Sequence, residues 1–230
     1  SMDGAYILKP QTTQYPYLPE NEDLTMHLAQ IAKIEVVPHI LVRFEDGELC
    51  YLTKRIDRTA NGTRLPMEDM CQLTERLTER KYKGSYEQIA KAIRQYSHAP
   101  GLDLTNYWTM VLFCWLVGNS DMHLKNFSLY APNTTEHVLA PAYDLINTEV
   151  HIHSSDFGMK DGLSQTLSKS DIYERTGHPC KEDFRNFGAL IGLMPKRIDT
   201  IINQFREFPD KVKELIQNSY FFDDSIKRKY

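Results

Sequence analysis

The segment GNSDMHLKNFSLY, residues 118–130, directly follows the most apolar stretch of the chain, DLTNYWTMVLFCWLV at 103–117. That stretch is apolar nearly all round after its first turn, which predicts a buried central helix. We expect the helix to end at Gly118, because glycine is a usual residue just after a helix. A cluster of polar side chains therefore begins where a rigid, buried element ends, and such a place favours a well-held functional site.

The bulk properties of the chain exclude several classes of protein. The 230 residues, 41% hydrophobic and 25% charged, are sufficient for one large globular domain or two small lobes. A net charge of −4 provides no general attraction to nucleic acid or to an anionic membrane. The 4 cysteines form no CxxC pair, and no apolar run is long enough to span a bilayer. We therefore expect a cytoplasmic protein with reduced cysteines, which binds neither membrane nor, by itself, DNA.

The first part of the chain has strand patterns and one helix. AYILKP, at 5–10, predicts a short strand, and Asn21 is placed to cap a helix that continues through residue 34. Two β-rich runs surround Asp46 and Gly47, which favours a tight hairpin turn with positive φ at both residues.

Helical patterns dominate from residue 64 onward. The predicted helices cover 67–75, 86–96, 103–117, 181–192, 195–207 and 209–218. The predicted fold class is therefore α+β, with a small β-containing lobe over 1–60 and a larger, mainly helical lobe over 61–230.

A second predicted hairpin brings two possible metal ligands together. FSLYAPNTTEHVLAPAYDL, at 127–145, reads as two strands joined by a PNTT turn. Because a hairpin brings its ends together, Asn126 and Asp144 should be neighbours, with Asp121 close by. Amide and carboxylate oxygens are ligands that Mg²⁺ prefers, so we predict a magnesium site at the base of this hairpin.

The spacing of these residues is typical of protein kinases. In kinases a catalytic-loop Asp precedes a metal-binding Asn by five residues, and a second metal-binding Asp follows later in the chain. Asp121 would then accept or orient the proton of an attacking hydroxyl group, and Lys125 would place positive charge near the transferring phosphoryl group. A DFG tripeptide begins at Asp156, but it lies well beyond the hairpin, so the geometry favours Asp144 as the metal ligand.

The small lobe contains a candidate site for the nucleotide. Kinases hold the α and β phosphates of ATP with a strand lysine that a helix glutamate orients. Lys9 ends the first predicted strand, and Glu22 opens the helix that follows. YLTKRID, at 51–57, is the predicted hinge between the lobes, where backbone groups would meet adenine and Ile56 would supply apolar contact.

Four motifs together resemble the HipA-type serine/threonine kinases, the toxins of bacterial toxin–antitoxin modules. These motifs are KRIDR at 54–58, LPMEDMCQL at 65–73, GNSDMHLKNFSLY at 118–130 and LAPAYDLINT at 139–148. The resemblance runs from about residue 4 to the end of the chain and implies a protein-kinase-like fold with ATP and Mg²⁺ as cofactors. It implies the following site residues: Asp121 as catalytic base, Asn126 and Asp144 on the metal, Lys9 on the phosphates, Lys54 and Ile56 in the hinge, and His123 and Tyr143 beside the nucleotide.

The resemblance also implies partners. Members of the family phosphorylate aminoacyl-tRNA synthetases or related translation proteins, and a small helix-turn-helix antitoxin neutralises them. Their phosphate-covering loop and a further N-terminal subdomain precede the strand that bears the lysine, which here is residues 5–9. We therefore expect these parts in a longer chain or in a separate polypeptide, and we expect weak ATP binding without them.

Two other functions fit part of the pattern. DMHLKN also fits the Asp-x-His-x-x-Asn loop of small-molecule phosphotransferases of the aminoglycoside or choline kinase kind. Those enzymes lack LPMEDMCQL and KNFSLY, which favours the HipA type. The second alternative is a catalytically silent, kinase-shaped module that binds a partner.

Overall fold

The structure, a computed structural model, describes residues 4–152, 155–207, 209–221 and 227–228. Its first sheet comprises β1 (Tyr6–Pro10), β2 (His39–Arg43) and β3 (Leu49–Lys54), paired in the order β1-β3-β2. Both pairs are antiparallel, and Lys9 on β1 lies opposite Tyr51 on β3. Helix α1 (Leu18–Ile31) packs against this sheet, which confirms the predicted order of strand, helix and hairpin.

The turn between β2 and β3 differs from the predicted one. Only Gly47 has a positive φ, of 90°, and Asp46 does not. The Gly47 amide donates to the carbonyl of Phe44, and the Phe44 amide donates to the carbonyl of Glu48, so three residues form the loop. The Asp46 side chain accepts a hydrogen bond from the Glu48 amide at 2.9 Å. This bond stabilises the turn without a positive φ at Asp46.

The prediction that Asn21 caps α1 was wrong, because the helix begins at Leu18. Pro19 lies in the first turn of this helix. Amide hydrogens in a first turn have no acceptor within the helix, so proline, which lacks an amide hydrogen, is favoured there. Asn21 is buried inside the helix and makes two hydrogen bonds with the backbone of Asn147, at 2.9 and 3.0 Å. It therefore ties α1 to the segment that follows Asp144.

The rest of the chain contains a second sheet and most of the helices. The second sheet pairs β4 (Met67–Asp69), β5 (Ser128–Tyr130) and β6 (Val138–Leu139) in that order. The remaining helices are α2 (Met70–Leu73), α3 (Tyr86–Tyr96), α4 (Pro100–Leu116), α5 (Asp171–Thr176), α6 (Lys181–Leu190), α7 (Pro195–Gln204) and α8 (Pro209–Gln217). The α+β class is as predicted, and the division into lobes at residue 60 stays a prediction.

Several helix predictions need correction. The segment 67–75 is a strand followed by a short helix, because Met67–Asp69 pairs with β5 and Asp69 then caps α2 with Gln72 in a capping box. Helix α4 starts three residues earlier than predicted, at Pro100, and α5 was not predicted. The predicted bounds of α3 are confirmed, and α6, α7 and α8 start where predicted and end one to three residues sooner.

Helix α4 forms the centre of the core, as its apolar sequence predicts. Tyr107 and Trp108 are fully buried, and Phe127 and Phe184 pack around them from the following segments. The cysteines are all free thiols, in agreement with the expectation from the sequence. None of the described helices has the length and hydropathy of a membrane span.

Candidate functional site

The loop after α4 is anchored at its first residue. Gly118 has a φ of 67°, the left-handed conformation that commonly ends a helix and that glycine adopts without strain. Its carbonyl accepts hydrogen bonds from the amide and the hydroxyl group of Thr148, at 3.0 and 2.8 Å. The segment beyond Asp144 is thereby fastened to the start of the loop, so the two polar segments cannot move independently.

Asn126 and Asp144 converge, as the hairpin predicts. The Asn126 side-chain nitrogen lies 3.2 Å from Oδ2 of Asp144. Asn126 is buried in a short 3₁₀ turn, whereas the Asp144 side chain is 48% exposed and therefore accessible to a ligand. Asp144 has a φ of 59°, a conformation that aspartate tolerates at some cost and that recurs at functional sites.

Lys9 joins the same cluster from the first sheet. Its ammonium group lies 2.7 and 2.9 Å from the two carboxylate oxygens of Glu22 on α1, and it also contacts Oδ1 of Asp144. The expected pairing of a strand lysine with a helix glutamate is therefore present in the structure. Lys9 therefore links β1 to α1 through Glu22, and to the second hairpin through Asp144.

Burial makes this group of charges sensitive to protons near neutral pH. Burial raises the pKa of Glu22 to about 7, against the attraction of Lys9, and the negative charge of Asp144 adds to the rise. Burial works against the charge of Lys9, but the attraction of Glu22 and Asp144 outweighs it, so the Lys9 pKa is raised. The ammonium group thus stays charged while Glu22 titrates.

Beside this cluster lies a cavity of about 410 Å³, a volume within the range of small-molecule sites. Predicted site residues on its wall are Lys9, Lys54, Ile56, Lys125, Tyr143 and Asp144. The segment 53–57, which is part of the predicted hinge 51–57, runs along one side, and apolar Val37 and Met67 also line it. An apolar wall and the charged cluster therefore border the same cavity.

The Lys125 side chain is held by a residue to which the sequence analysis assigned no role. Its ammonium group lies 2.7 Å from Oδ2 of Asp69, and that hydrogen bond raises the Lys125 pKa against the smaller effect of burial. The Tyr143 hydroxyl group donates to the Lys125 carbonyl at 3.0 Å. Asp69 lies in the LPMEDMCQL motif, so this motif was the one feature of the sequence analysis that could have indicated a functional role for Asp69.

Asp121 and His123 lie on the other side of the loop. Oδ1 of Asp121 accepts from the Tyr82 hydroxyl group at 2.7 Å, and burial together with this bond raises the Tyr82 pKa to about 12. His123 contacts the Tyr82 ring edge-to-face, with 5.0 Å between centroids, and burial lowers the His123 pKa although Asp121 and Asp144 both oppose this. His123 thus lies within electrostatic range of both carboxylates but does not line the 410 Å³ cavity.

The DFG tripeptide has a separate set of contacts from the cluster of Lys9, Glu22 and Asp144. Asp156 accepts from Trp115 Nε1 at 3.3 Å and pairs with His178 at 2.9 Å. It lines a second, larger cavity of about 800 Å³, together with Tyr82 and Ser120. A side chain at Gly158 would approach the Met122 backbone to 2.7 Å, so this glycine permits close packing on the loop. None of the described contacts joins Asp156 to Asn126 or Asp144, and the assignment of the metal to those two residues stays a prediction.

The larger cavity is the weaker candidate for a nucleotide site despite its size. Its described lining includes the Asp156–His178 pair but not the cluster of Lys9, Asn126 and Asp144. Size alone does not identify a binding site, whereas converging charged groups of perturbed pKa do so more often. The 410 Å³ cavity is therefore the stronger candidate for a ligand site.

The residues present fit a magnesium ion. Neighbouring ligands of an octahedral Mg²⁺ with bonds of about 2.1 Å are about 3.0 Å apart, and the Asn126 amide lies 3.2 Å from Asp144. Rotation of the amide would place its oxygen, rather than its nitrogen, at that position. Lys9 now supplies the positive charge beside Asp144 that a metal ion would otherwise provide.

Comparison with known proteins agrees with this geometry. A family model described as the HipA-like C-terminal domain matches residues 1–212. The "Putative kinase" of Haemophilus influenzae is 29% identical over 242 residues, which cover 96% of this chain and 69% of that protein. "Putative kinase Y4dM" of Sinorhizobium fredii is 30% identical over 211 residues, covering 79% of this chain and 51% of that protein.

Two solved structures share the fold. A structure titled as the Shewanella oneidensis toxin–antitoxin system of HipA, HipB and operator DNA superimposes with a TM-score of 0.75 and 20% identity, over 98% of this chain and 56% of that one. The Helicobacter pylori proinflammatory kinase CtkA gives a TM-score of 0.61 and 16% identity, over 97% and 80%. The fold of this chain is therefore kinase-like, and the chain spans about half to four fifths of the proteins that it matches.

Proposed function

The chain belongs to the HipA-like C-terminal domain family, and from this we propose that it is a serine/threonine protein kinase that uses Mg²⁺ and ATP. The observation that carries the proposal is the convergence of Lys9, Asn126 and Asp144 beside the 410 Å³ cavity. An apolar wall, a cation and oxygen ligands for a metal are the parts that a bound nucleoside triphosphate requires. Kinase names of relatives and the kinase-like fold support the same class of reaction.

The adenine would lie against the segment 53–57. This segment is fixed by its backbone, because the Lys54 amide donates to Pro38 and the Arg55 amide donates to Ala5, both at 2.8 Å. The Arg55 side chain is fixed by two hydrogen bonds to Asp57, at 2.9 and 2.7 Å. Ile56 then supplies apolar contact to the base, and Lys54 and Tyr143 border it.

Lys9 would bind the α and β phosphates, and Asn126 with Asp144 would hold the metal. Glu22 keeps the Lys9 ammonium group at the cavity wall, so its position does not depend on a ligand. A bound Mg²⁺ neutralises charge on the phosphates as the phosphoryl group leaves. Asp144 would hold the metal through the carboxylate group that also contacts Lys9.

Asp121 would act as the catalytic base. The hydrogen bond from Tyr82 fixes the direction of its carboxylate, which is the requirement for accepting a proton from a hydroxyl group. The larger cavity, lined by Tyr82 and Ser120, lies on this side of the loop and would receive the acceptor segment. Lys125 would add positive charge from the other side, held by Asp69.

The natural substrate and partners follow from the family. We propose a translation-related protein, such as an aminoacyl-tRNA synthetase, as the substrate and a helix-turn-helix antitoxin as the partner. The antitoxin proposal is supported by the Shewanella oneidensis neighbour, whose title describes a complex with HipB and operator DNA. The net charge of −4 supports contact with DNA only through such a partner. A separate N-terminal polypeptide and a cytoplasmic location remain part of the proposal.

Titration with ATP in the presence of Mg²⁺ tests the nucleotide site. We expect Lys9→Ala to weaken binding by about 10-fold to 150-fold, which corresponds to the loss of one charged hydrogen bond. Lys91→Ala is the matched control, because Lys91 is exposed and pairs only with Glu87 one helical turn away among the contacts described. Saturation-transfer NMR detects weak binding and suits the expected affinity. Absence of binding by the unaltered chain, or equal binding by Lys9→Ala, would overturn the proposal.

A further inference from the structure

A second group of possible metal ligands lies on α1 and β2, and its first member directly follows Glu22 in the chain. Asp23 and His27 are one turn apart on α1, and His39 begins β2. One potential ligand atom from each of the three lies within 4.8 Å of the others. His39 Nδ1 is 3.1 Å from Oδ1 of Asp23, and His27 Nε2 is 3.6 Å from Oδ2. The two imidazole rings are 4.6 Å apart between centroids.

These distances match the spacing of ligands around a tetrahedral zinc ion. Bonds of about 2.0 to 2.1 Å place neighbouring ligand atoms about 3.4 Å apart. The histidine nitrogens lie 3.1 Å from Oδ1 and 3.6 Å from Oδ2 of Asp23, on either side of that value. One ligand atom from each residue lies within 4.8 Å of the others, so side-chain rotations would bring the three atoms toward this spacing. Two histidines and one aspartate are also ligand types that zinc commonly takes.

The hydrogen bonds of His27 leave its other ring nitrogen available. His27 Nδ1 lies 3.0 Å from Oε1 of Gln30, so it is placed to donate its proton to that carbonyl oxygen. Nε2 then presents a lone pair toward the Asp23 carboxylate. A cation between these two groups would remove their repulsion, and a second residue that holds the ring is usual behind metal-binding histidines.

His39 also lacks a full set of protein partners. Its side chain is 1% exposed, and Nε2 has no hydrogen-bond partner among the residues that the structure describes. The His27 side chain, in contrast, is 42% exposed, which leaves a path for a metal ion and for a water as fourth ligand.

The surrounding charge favours a cation. Glu20 and Glu22 flank Asp23 on α1, and the negative charge of Asp23 contributes to the raised pKa of both, although burial is the larger cause. Three carboxyl groups within four residues make this end of the helix attractive to a positive ion.

We propose that Asp23, His27 and His39 form a binding site for a divalent transition metal ion of the zinc class. The bound ion would join α1 to β2. Because Glu22 precedes Asp23 and holds Lys9, the ion would also fix the helix that positions Lys9. The His39 ring stacks on the Tyr51 ring, with 5.6 Å between the centroids. The Lys9 ammonium group lies over the same Tyr51 ring, 5.7 Å from its centroid. The site thus supports the small sheet directly behind Lys9.

Calorimetric titration with zinc sulfate tests the proposal, using tag-free protein that a chelator has freed of metal. We expect one zinc ion per chain and a rise in the melting temperature, because an ion that binds only the folded state stabilises it. Substitution of Co²⁺ should give the visible absorption of a tetrahedral site. No nucleotide is present, so the result does not depend on the proposed kinase activity.

The variant His27→Gln is the decisive one, because this side chain is partly exposed and its loss should not disturb the core. We expect it to weaken zinc binding at least about 100-fold, since even residues behind a metal ligand contribute 10-fold to 100-fold. His178→Gln, which removes an exposed histidine paired with Asp156, is the control and should bind zinc like the unaltered chain. Absence of zinc binding, equal binding by His27→Gln, or loss of binding in His178→Gln would each overturn the assignment.

Discussion

The titration of Glu22 offers a quantitative test of the charged cluster. In the folded protein, burial raises the Glu22 pKa from 4.5 to about 7. A group whose pKa is raised by folding binds its proton more tightly in the folded state, so it adds stability at low pH. That contribution is complete below about pH 4.5 and is lost as the pH rises through about 7.

The size of the effect follows from the two pKa values. Between about pH 5 and pH 8, the Glu22 contribution to the free energy of unfolding should fall by about 2 to 3 kcal/mol. The variant Glu22→Gln keeps the shape of the side chain and does not titrate. The difference in stability between the unaltered chain and the variant should therefore shift by about this amount over the same interval, in favour of the variant at high pH.

Urea denaturation of both proteins at several pH values measures this difference. Other acidic groups, such as Asp57 and Asp183, also change the stability with pH, but they are present in both proteins and cancel. A difference that stays constant from about pH 5 to pH 8 would refute the reasoning, because Glu22 would then titrate alike in the folded and unfolded chains.

Further substitutions test the loop after α4. Asp121→Asn should leave the melting temperature nearly unchanged and lower phosphoryl transfer by about 10² to 10⁴-fold, and full activity would remove Asp121 from the mechanism. Tyr82→Phe, which frees the Asp121 carboxylate, should lower the transfer rate less than Asp121→Asn does, and a larger loss would contradict an orienting role. Gly158→Ala should destabilise the fold by about 1 to 3 kcal/mol through contact with Met122. Gly101→Ala, in open space at the start of α4, is the matched control in the same denaturation assay and should be neutral.

The sequence predicted those features that depend on local patterns and on order along the chain. The apolar stretch 103–117 predicted the central helix, and the alternation around PNTT predicted the hairpin that joins Asn126 to Asp144. The pairing of Lys9 with Glu22 followed from a strand lysine and a helix glutamate in the expected order. The helix and the hairpin follow from residues near in sequence, whereas the Lys9–Glu22 pairing was predicted from the order of elements in kinases.

Features that depend on distant contacts were missed. Asn21 has the side chain of a helix cap, but burial against Asn147 decides its role, 126 positions away. Asp69 pairs with Lys125 only because β4 pairs with β5. Likewise, no spacing in the sequence places His39 beside Asp23, since the approach arises from the packing of α1 on the first sheet. Such contacts become visible only when the fold is assembled.

The roles of the two candidate metal aspartates provide the most direct test of the account. Nucleotide binding should be measured with Mg²⁺ and with a chelator, for the unaltered chain, for Asp144→Asn and for Asp156→Asn. The account predicts that Mg²⁺ strengthens binding in the unaltered chain and in Asp156→Asn, and that this gain disappears in Asp144→Asn. Retention of the gain in Asp144→Asn together with its loss in Asp156→Asn would contradict the account and would place the metal at the DFG tripeptide.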